Sequence, residues 1–357
     1  MDIASRRLRN QHLAGRGLDG AAEVVRHLGA VQAQDYRGAT WAVAQRCGLP
    51  TAASIGAVVA SGSILRTHVL RPTWHFVVAA DIRWMLALTG PRVLAGSAAR
   101  QRELGLDQTT FARVHKILER SLAGGVAMTR SEVAAILVAA GVTLEGQRLV
   151  HLLLEAELAG VICSGPPAGK AQTYALLEER VPPAPVMQPD EAAAELAARY
   201  FASHGPARLA DFTWWSSLTV AQARAAIQAA GDRLATDVVD GRPVWFSPTD
   251  APGITPAPFV RLLPNYDEYV VAYRERVDYY DRALDPQLVR GGVMANVVTL
   301  DGRVVGNWRR KPRGHGITVV IEPWREFDDV TWDLVAAEVT RLGRHLECPA
   351  VMVPRRR

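Results

Sequence analysis

One succession of elements recurs along this chain and restricts its fold more than any other feature: helices followed by a β-hairpin. In residues 1–105, Asp2 to Leu13 reads as an arginine-rich helix. Asp19 reads as the cap of a second, with Val24, Val25 and Leu28 as its apolar stripe, and Thr51 to Ser61 as an uncharged third. Ile64 to Leu70 and Thr73 to Val78 follow as two strands around Arg71-Pro72. Residues 106–184 repeat the order. Asp107 to Leu122 is helical, Thr129-Arg130-Ser131-Glu132 is a capping box opening a helix that Gly141 closes, and Glu145 to Ala159 is the third helix. Strands Val161 to Cys163 and Gln172 to Leu177 complete it. After the linker Pro182-Pro183-Ala184-Pro185, residues 185–255 give a third round. A helix capped by Asp190 leads to Ala207 to Ser216, then Thr219 to Ala230, then a hairpin around Asp240-Gly241. Helices closed by a hairpin make a winged helix, and units repeated at this spacing form a repeat architecture without sequence identity between copies. Residues 256–357 differ: Phe259 to Leu263, Met294 to Leu300, Arg303 to Trp308 and Gly316 to Ile321 read as strands, with a type I′ turn at Asp301-Gly302 and a last helix from Phe327 to Leu346.

A chain of 357 residues is too long for one ordinary core, and 49% hydrophobic residues suffice to fill several. No run approaches the roughly 18 apolar residues of a membrane span. The segment Met1 to Arg7 lacks the apolar stretch of a signal peptide, so a cytoplasmic location is expected, with no membrane partner. Cys47, Cys163 and Cys348 are too few and too scattered for a disulfide framework or a zinc site, and no metal or cofactor is expected. The net charge of +5 leans toward polyanions; heavy use of arginine, alanine and glycine equally fits a GC-rich genome.

A winged helix ordinarily reads base edges with its last helix. Thr51 to Ser61 carries no charge or amide, and Glu145 to Ala159 carries three glutamates that phosphates repel; only Gln222, Arg224 and Gln228 suit base reading. The helices therefore read as scaffold. The strongest basic stretch lies elsewhere: Arg303, Arg309, Arg310, Lys311 and Arg313, without an acid among them. Glycines and a proline suggest that its end is a mobile loop, either solvated or clamping phosphate.

After the second helix comes Gly29-Ala30-Val31-Gln32-Ala33-Gln34-Asp35. Glutamines at i and i+2 of an extended segment point the same way and can hold one water between two carbonyl oxygens, while Asp35 points elsewhere. Taken alone, such a triplet also occurs in solvated loops. It does not stand alone. Leu28 to Asp35, Leu65 to His75, Leu262 to Glu268 and Asp301 to Arg310, in this order, resemble the AlkZ-like bacterial DNA glycosylases, winged-helix proteins that unhook or excise alkylated purines. The resemblance implies a catalytic glutamine pair at Gln32 and Gln34. It also implies three winged helices curved around a DNA channel, which agrees with the repeat.

Two amides cannot deprotonate water, but they need not if the leaving base is already cationic. Alkylation at N7 or N3 of a purine weakens the glycosidic bond, and the transition state resembles an oxocarbenium ion. Carbonyl dipoles in a dry site then position water and stabilise charge. Arg66 and Arg71 are candidates for phosphate contact, as are His68 and His75, which could instead orient a catalytic group or simply pack. Trp214-Trp215 reads as core, and Asp267 and Glu268, lacking partners at metal spacing, as structural.

The expected fold is α+β, predominantly helical: three tandem winged-helix units in a curved arrangement plus a small β-rich C-terminal part. The expected protein is a monomeric, monofunctional glycosylase acting on double-stranded DNA that carries alkylated purines. A non-enzymatic winged-helix regulator or drug-sequestering protein is the alternative.

Overall fold

The computed structural model describes residues 2–249, 258–281, 289–290 and 293–354. The fold mixes helices with small sheets, helix being the larger share. The expected boundary between residues 255 and 256 lies outside the described residues.

The first region runs α1 (Ile3–Asn10), α2 (Ala21–Leu28), β1 (Val31–Gln32), α3 (Tyr36–Ala44), α4 (Ala52–Ala60), β2 (Ile64–Val69) and β3 (Arg71–Val78). β1, β3 and β2 form an antiparallel sheet with β3 in the centre. Thr51 caps α4 as its side chain accepts from Ser54 N–H at 3.2 Å. Asp19 does not cap α2: the residue before that helix is Gly20, and the Asp19 carboxylate faces Arg16 at 3.5 Å. The Gly-Ala-Thr-Trp-Ala run of α3 is buried on all sides and so shows no amphipathic period by which its sequence could announce a helix.

A 25-residue helix, α5 (Ala79–Glu103), links to the second region. There α6 (Gln108–Leu122), β4 (Met128–Thr129), α7 (Arg130–Ala139), α8 (Arg148–Leu158), β5 (Ile162–Ser164) and β6 (Thr173–Leu176) precede the short α9 (Leu177–Arg180). Both halves of the capping box at Thr129 and Glu132 are formed. α8 starts later than expected, because Gly146 sits at φ +61° and turns the chain first.

The third region holds α10 (Pro189–His204), α11 (Leu209–Ser216), α12 (Val220–Ala230), β7 (Ala235–Val239) and β8 (Arg242–Phe246). Pro189 opens α10, so Asp190 lies in its first turn rather than at its cap. α11 begins at Leu209 because Ala207 is bridged to Trp245 of β8.

The C-terminal region contains β9 (Val260–Leu263), α13 (Glu268–Val271), β10 (Val289–Arg290), β11 (Val293–Met294), β12 (Val297–Leu300), β13 (Arg303–Arg313), β14 (Gly316–Pro323), α14 (Asp329–His345) and β15 (Ala350–Pro354). Its main sheet has the order β15-β14-β13-β12-β9. Asp301 and Gly302 both take positive φ, 52° and 81°, as a type I′ turn requires. β15 pairs in parallel with β14 and has no counterpart in the sequence reading.

Among the described residues three apolar clusters hold these parts. One belongs to the second region alone, around Phe111, Leu118, Leu137 and Leu152. A second joins the first region to the C-terminal sheet and α14, through Val25, Trp41, Phe76, Leu262, Trp308 and Val339. The Trp41 indole donates across that boundary to the Leu262 carbonyl at 2.7 Å. The largest links the first and third regions to Tyr269, Tyr273 and Tyr279. The C-terminal part is thus packed as one body with the first region. Among the described residues no helix is long and apolar enough to cross a membrane.

Candidate active site

The glutamine loop is held at both ends. Gly29 terminates α2 at φ +78°, a conformation in which a side chain is strained, and Asp35 caps α3 by accepting from Arg37 N–H at 3.1 Å. Between them β1 pairs with β3, Val31 opposite Phe76 and Gln32 opposite His75. Ala33 N–H continues the pairing onto the Trp74 carbonyl at 2.7 Å. Asp35 is thereby committed to the helix, and the two glutamines project from an edge fixed to β3.

Gln32 is buried, only 7% exposed, and Gln34 is exposed. The Gln32 carbonyl Oε1 accepts from Arg71 Nη2 at 3.2 Å, and Gln34 Oε1 accepts from the Trp74 backbone N–H at 3.4 Å. The amide oxygens are therefore oriented by the protein. An amide oxygen has two lone pairs, so each can still accept from a water or face a developing cation.

Beneath Gln32 lies a buried polar group. Glu268, the first residue of α13, is wholly buried; its Oε1 accepts the Gln32 backbone N–H at 2.7 Å and its Oε2 accepts the Trp215 indole N–H at 2.9 Å. His204 Nε2 stands 3.5 Å from Oε2. Burial works against ionisation here, but His204, Arg71 and His75 outweigh it and hold the Glu268 carboxyl down to about 2. His75 is fully buried and pushed down to about 3, first by burial and then by Arg71. The neutral ring donates from Nδ1 to the Thr73 carbonyl at 2.8 Å and turns Nε2 to Arg71 Nη2 at 3.4 Å. His75 therefore orients Arg71, and Arg71 orients Gln32.

The wing residues expected on phosphate also make contacts within the protein, His68 and His75 buried, Arg66 and Arg71 partly exposed. Arg66 Nε donates to the Ala33 carbonyl at 3.0 Å, and its guanidinium lies 4.3 Å over the Trp74 ring. His68 is buried against Glu157 through Nδ1 and packs on Trp74 with the rings tilted by 40°. Arg66, His68, Arg71 and His75 brace the loop through these contacts, while the buried Arg71 Nε has no hydrogen-bond partner among the described residues.

The basic stretch is no loop. Arg303 to Arg313 is one strand, paired with β14 to its tip, and it displays Arg303, Arg309, Lys311 and Arg313. Arg309 is bonded to Glu322 at 2.8 Å. Arg310 points the other way, half-buried, where burial lowers its pKa against the pull of Asp35; the hairpin thus lies beside the glutamine loop. A cavity of about 420 Å³ follows the loop, between α3, α4 and the β5–β6 connection, lined by Tyr36, Arg37, Thr40 and Lys170 among others. Lys170 is distant from the glutamines in sequence.

Two further readings change. Asp267 is structural, gripping Arg46 at 2.7 and 2.9 Å, but Glu268 belongs to the site. Its partners come from the first region (His75) and the third (His204 and Trp215), so no local spacing announces them. Trp215 is core as expected; Trp214 is 47% exposed.

Against known proteins, the family model described as DNA glycosylase AlkZ-like matches residues 25–345. The curated Interstrand DNA cross-link repair glycosylase of Streptomyces sahachiroi is 28% identical over 356 residues, covering 95% of this chain and 94% of that one. The solved structure of Streptomyces sahachiroi DNA glycosylase AlkZ superposes with a TM-score of 0.77 at 26% identity, over 99% of this chain and 98% of that one. The motifs carrying the resemblance, the breadth of the family match and the shared fold agree: this chain belongs to the AlkZ-like family of DNA glycosylases.

Proposed function

We propose that this protein is a monofunctional glycosylase that hydrolyses the N-glycosidic bond of cationic N-alkylated purines in double-stranded DNA, N7-alkylguanine and N3-alkyladenine among them. Interstrand crosslinks fall within the same chemistry, and the similar Streptomyces sahachiroi protein is named for their repair. The observation that carries the reading is the bracketing of Gln32: its main chain is held by Glu268 and its side-chain carbonyl by Arg71. Gln34 stands exposed on the same loop.

In this reading a positively charged base needs no general acid to leave. The glutamine carbonyls hold the attacking water and face the positive charge that develops at the sugar. A fixed dipole gains most where water is excluded, and Gln32 is nearly excluded from it. The three helix-and-hairpin regions serve as a winged-helix frame curved along the duplex, and Arg303, Lys311 and Arg313 on the β13–β14 hairpin supply charge for the backbone. The protein acts as a monomer in the cytoplasm.

Duplex DNA carrying N7-methylguanine tests the proposal. The wild type is expected to release free base and leave an unbroken abasic strand; Gln32→Ala combined with Gln34→Ala is expected to lose at least about 100-fold in rate. No release by the wild type overturns the function. Release that survives the double substitution overturns the glutamine assignment, and strand cleavage without alkali overturns the monofunctional mechanism and turns attention to Lys170.

A further inference from the structure

We infer that Glu268 is a positioning residue of this site, whose carboxylate fixes the main chain of Gln32 and cancels the charge of Arg71 beside the reacting sugar. The inference rests on the glutamine-centred reading above and adds a residue to it.

Three observations converge. First, the bond from Gln32 N–H to Glu268 at 2.7 Å spans 236 residues and is wholly buried, so Glu268 sets where the strand edge lies. Second, Arg71 holds the Gln32 carbonyl oxygen at 3.2 Å, so a cation touches the very dipole assigned to a developing positive charge. Unopposed, that guanidinium repels the oxocarbenium ion. Third, a carboxylate that offsets it is at hand. Burial lowers the Arg71 pKa, and attraction to Glu268 is the principal force opposing this. His75 and His204 are both pushed below the ordinary histidine range, chiefly by burial, and are neutral near pH 7. Arg71 and Glu268 are then the lasting charges of the group, and they balance. The arginine orients the dipole while the carboxylate keeps the local field from turning positive.

Glu268→Gln separates charge from shape. A glutamine at 268 still offers a carbonyl oxygen to Gln32 N–H but loses the charge and one acceptor for the Trp215 indole. Trp215→Phe, which deletes that indole bond with the carboxylate in place, is the control. Single-turnover release of N7-methylguanine from duplex DNA is the readout, alongside DNA affinity and melting temperature. The expected result is a loss of about 100-fold in rate for Glu268→Gln with DNA affinity within about threefold of wild type. Trp215→Phe is expected to lose less than about tenfold. Adding Arg71→Gln to Glu268→Gln removes the uncompensated cation and is expected to recover at least about tenfold, which no purely structural role produces.

Wild-type speed in Glu268→Gln, or no recovery in the double variant, overturns the inference. Should Glu268→Gln fail to fold, the charge-neutral double variant is compared with Arg71→Gln alone. The double variant is then expected to be at least about tenfold slower, and equal rates overturn the inference. A wild type that releases no base defeats the parent reading; a wild type that does, beside an equally fast Glu268→Gln, defeats only this one.

Discussion

A glutamine amide has no proton equilibrium near neutral pH, and the groups bracketing Gln32 share that property in this setting. Glu268 is held down to about 2 and His75 to about 3, so neither changes charge as the solution passes from mildly acidic to mildly basic. The expected pH profile of single-turnover release from N7-methylguanine DNA is therefore flat, within about twofold between about pH 5 and 8. A sigmoid centred near the ordinary histidine value would point to an ionising base instead. At this scale the sequence singled out the glutamine pair through its resemblance to the AlkZ-like family, because a Gln-x-Gln triplet alone equally fits a solvated loop. It did not disclose Glu268 or the inward turn of His75. Their meaning depends on Trp215 and His204, delivered by chain far from the glutamines.

The β13–β14 hairpin shows how an element can be misread from composition. Pro312 and Gly314 suggested a mobile loop, but Pro312 occupies a strand near the hairpin tip, opposite Ile317, and Gly314 at φ +54° belongs to the turn itself. The result is a stiff arm. Its alternation puts Arg309, Lys311 and Arg313 on one face and Arg310 on the other. Lys311→Ala with Arg313→Ala is expected to weaken DNA binding uniformly across sequences. The slope of log affinity against log salt should shrink by up to about two, roughly 0.9 for each phosphate contact removed. An unchanged slope would place the DNA elsewhere. Elements with strong local signals were legible: the Thr129 capping box and the Asp301-Gly302 turn are formed as read. Those lacking a period, α3 and β15, were not, because one is buried all round and the other is specified by its neighbour β14.

Across the whole molecule, two buried histidines couple stability to pH. His27, bonded to the Asn10 carbonyl at 2.6 Å, is pushed down to about 4, chiefly by burial, and His75 to about 3. Both fall below their unfolded value of about 6.5, so the unfolded chain takes up protons first as pH drops. Their stabilising effect is complete above about pH 6.5 and is lost progressively as pH falls toward 4 and 3, each at a slope approaching roughly 1.4 kcal/mol per pH unit. Melting temperature is expected to be level above neutrality and to decline below it, and His27→Asn is expected to flatten the decline; an unchanged decline in that variant would sink the assignment to His27. The separate C-terminal part anticipated from sequence turned out to share its core with the first region. Strand-rich composition identifies a sheet but not which surface it will cover.

That shared core carries a consequence for how the enzyme comes into being. The main chain of Gln32 is secured by a side chain 236 positions downstream, and Trp41 is bonded to Leu262. On the ribosome, the second region can close around its own cluster as soon as it emerges. The glutamine loop cannot be set until Glu268, just past three quarters of the chain, has been translated. If Glu268 acts as inferred, a product ending before it would lack both the buried support of Gln32 and most of the sheet that completes the first region's core, so interrupted synthesis is expected to leave a cell no base-removing fragment.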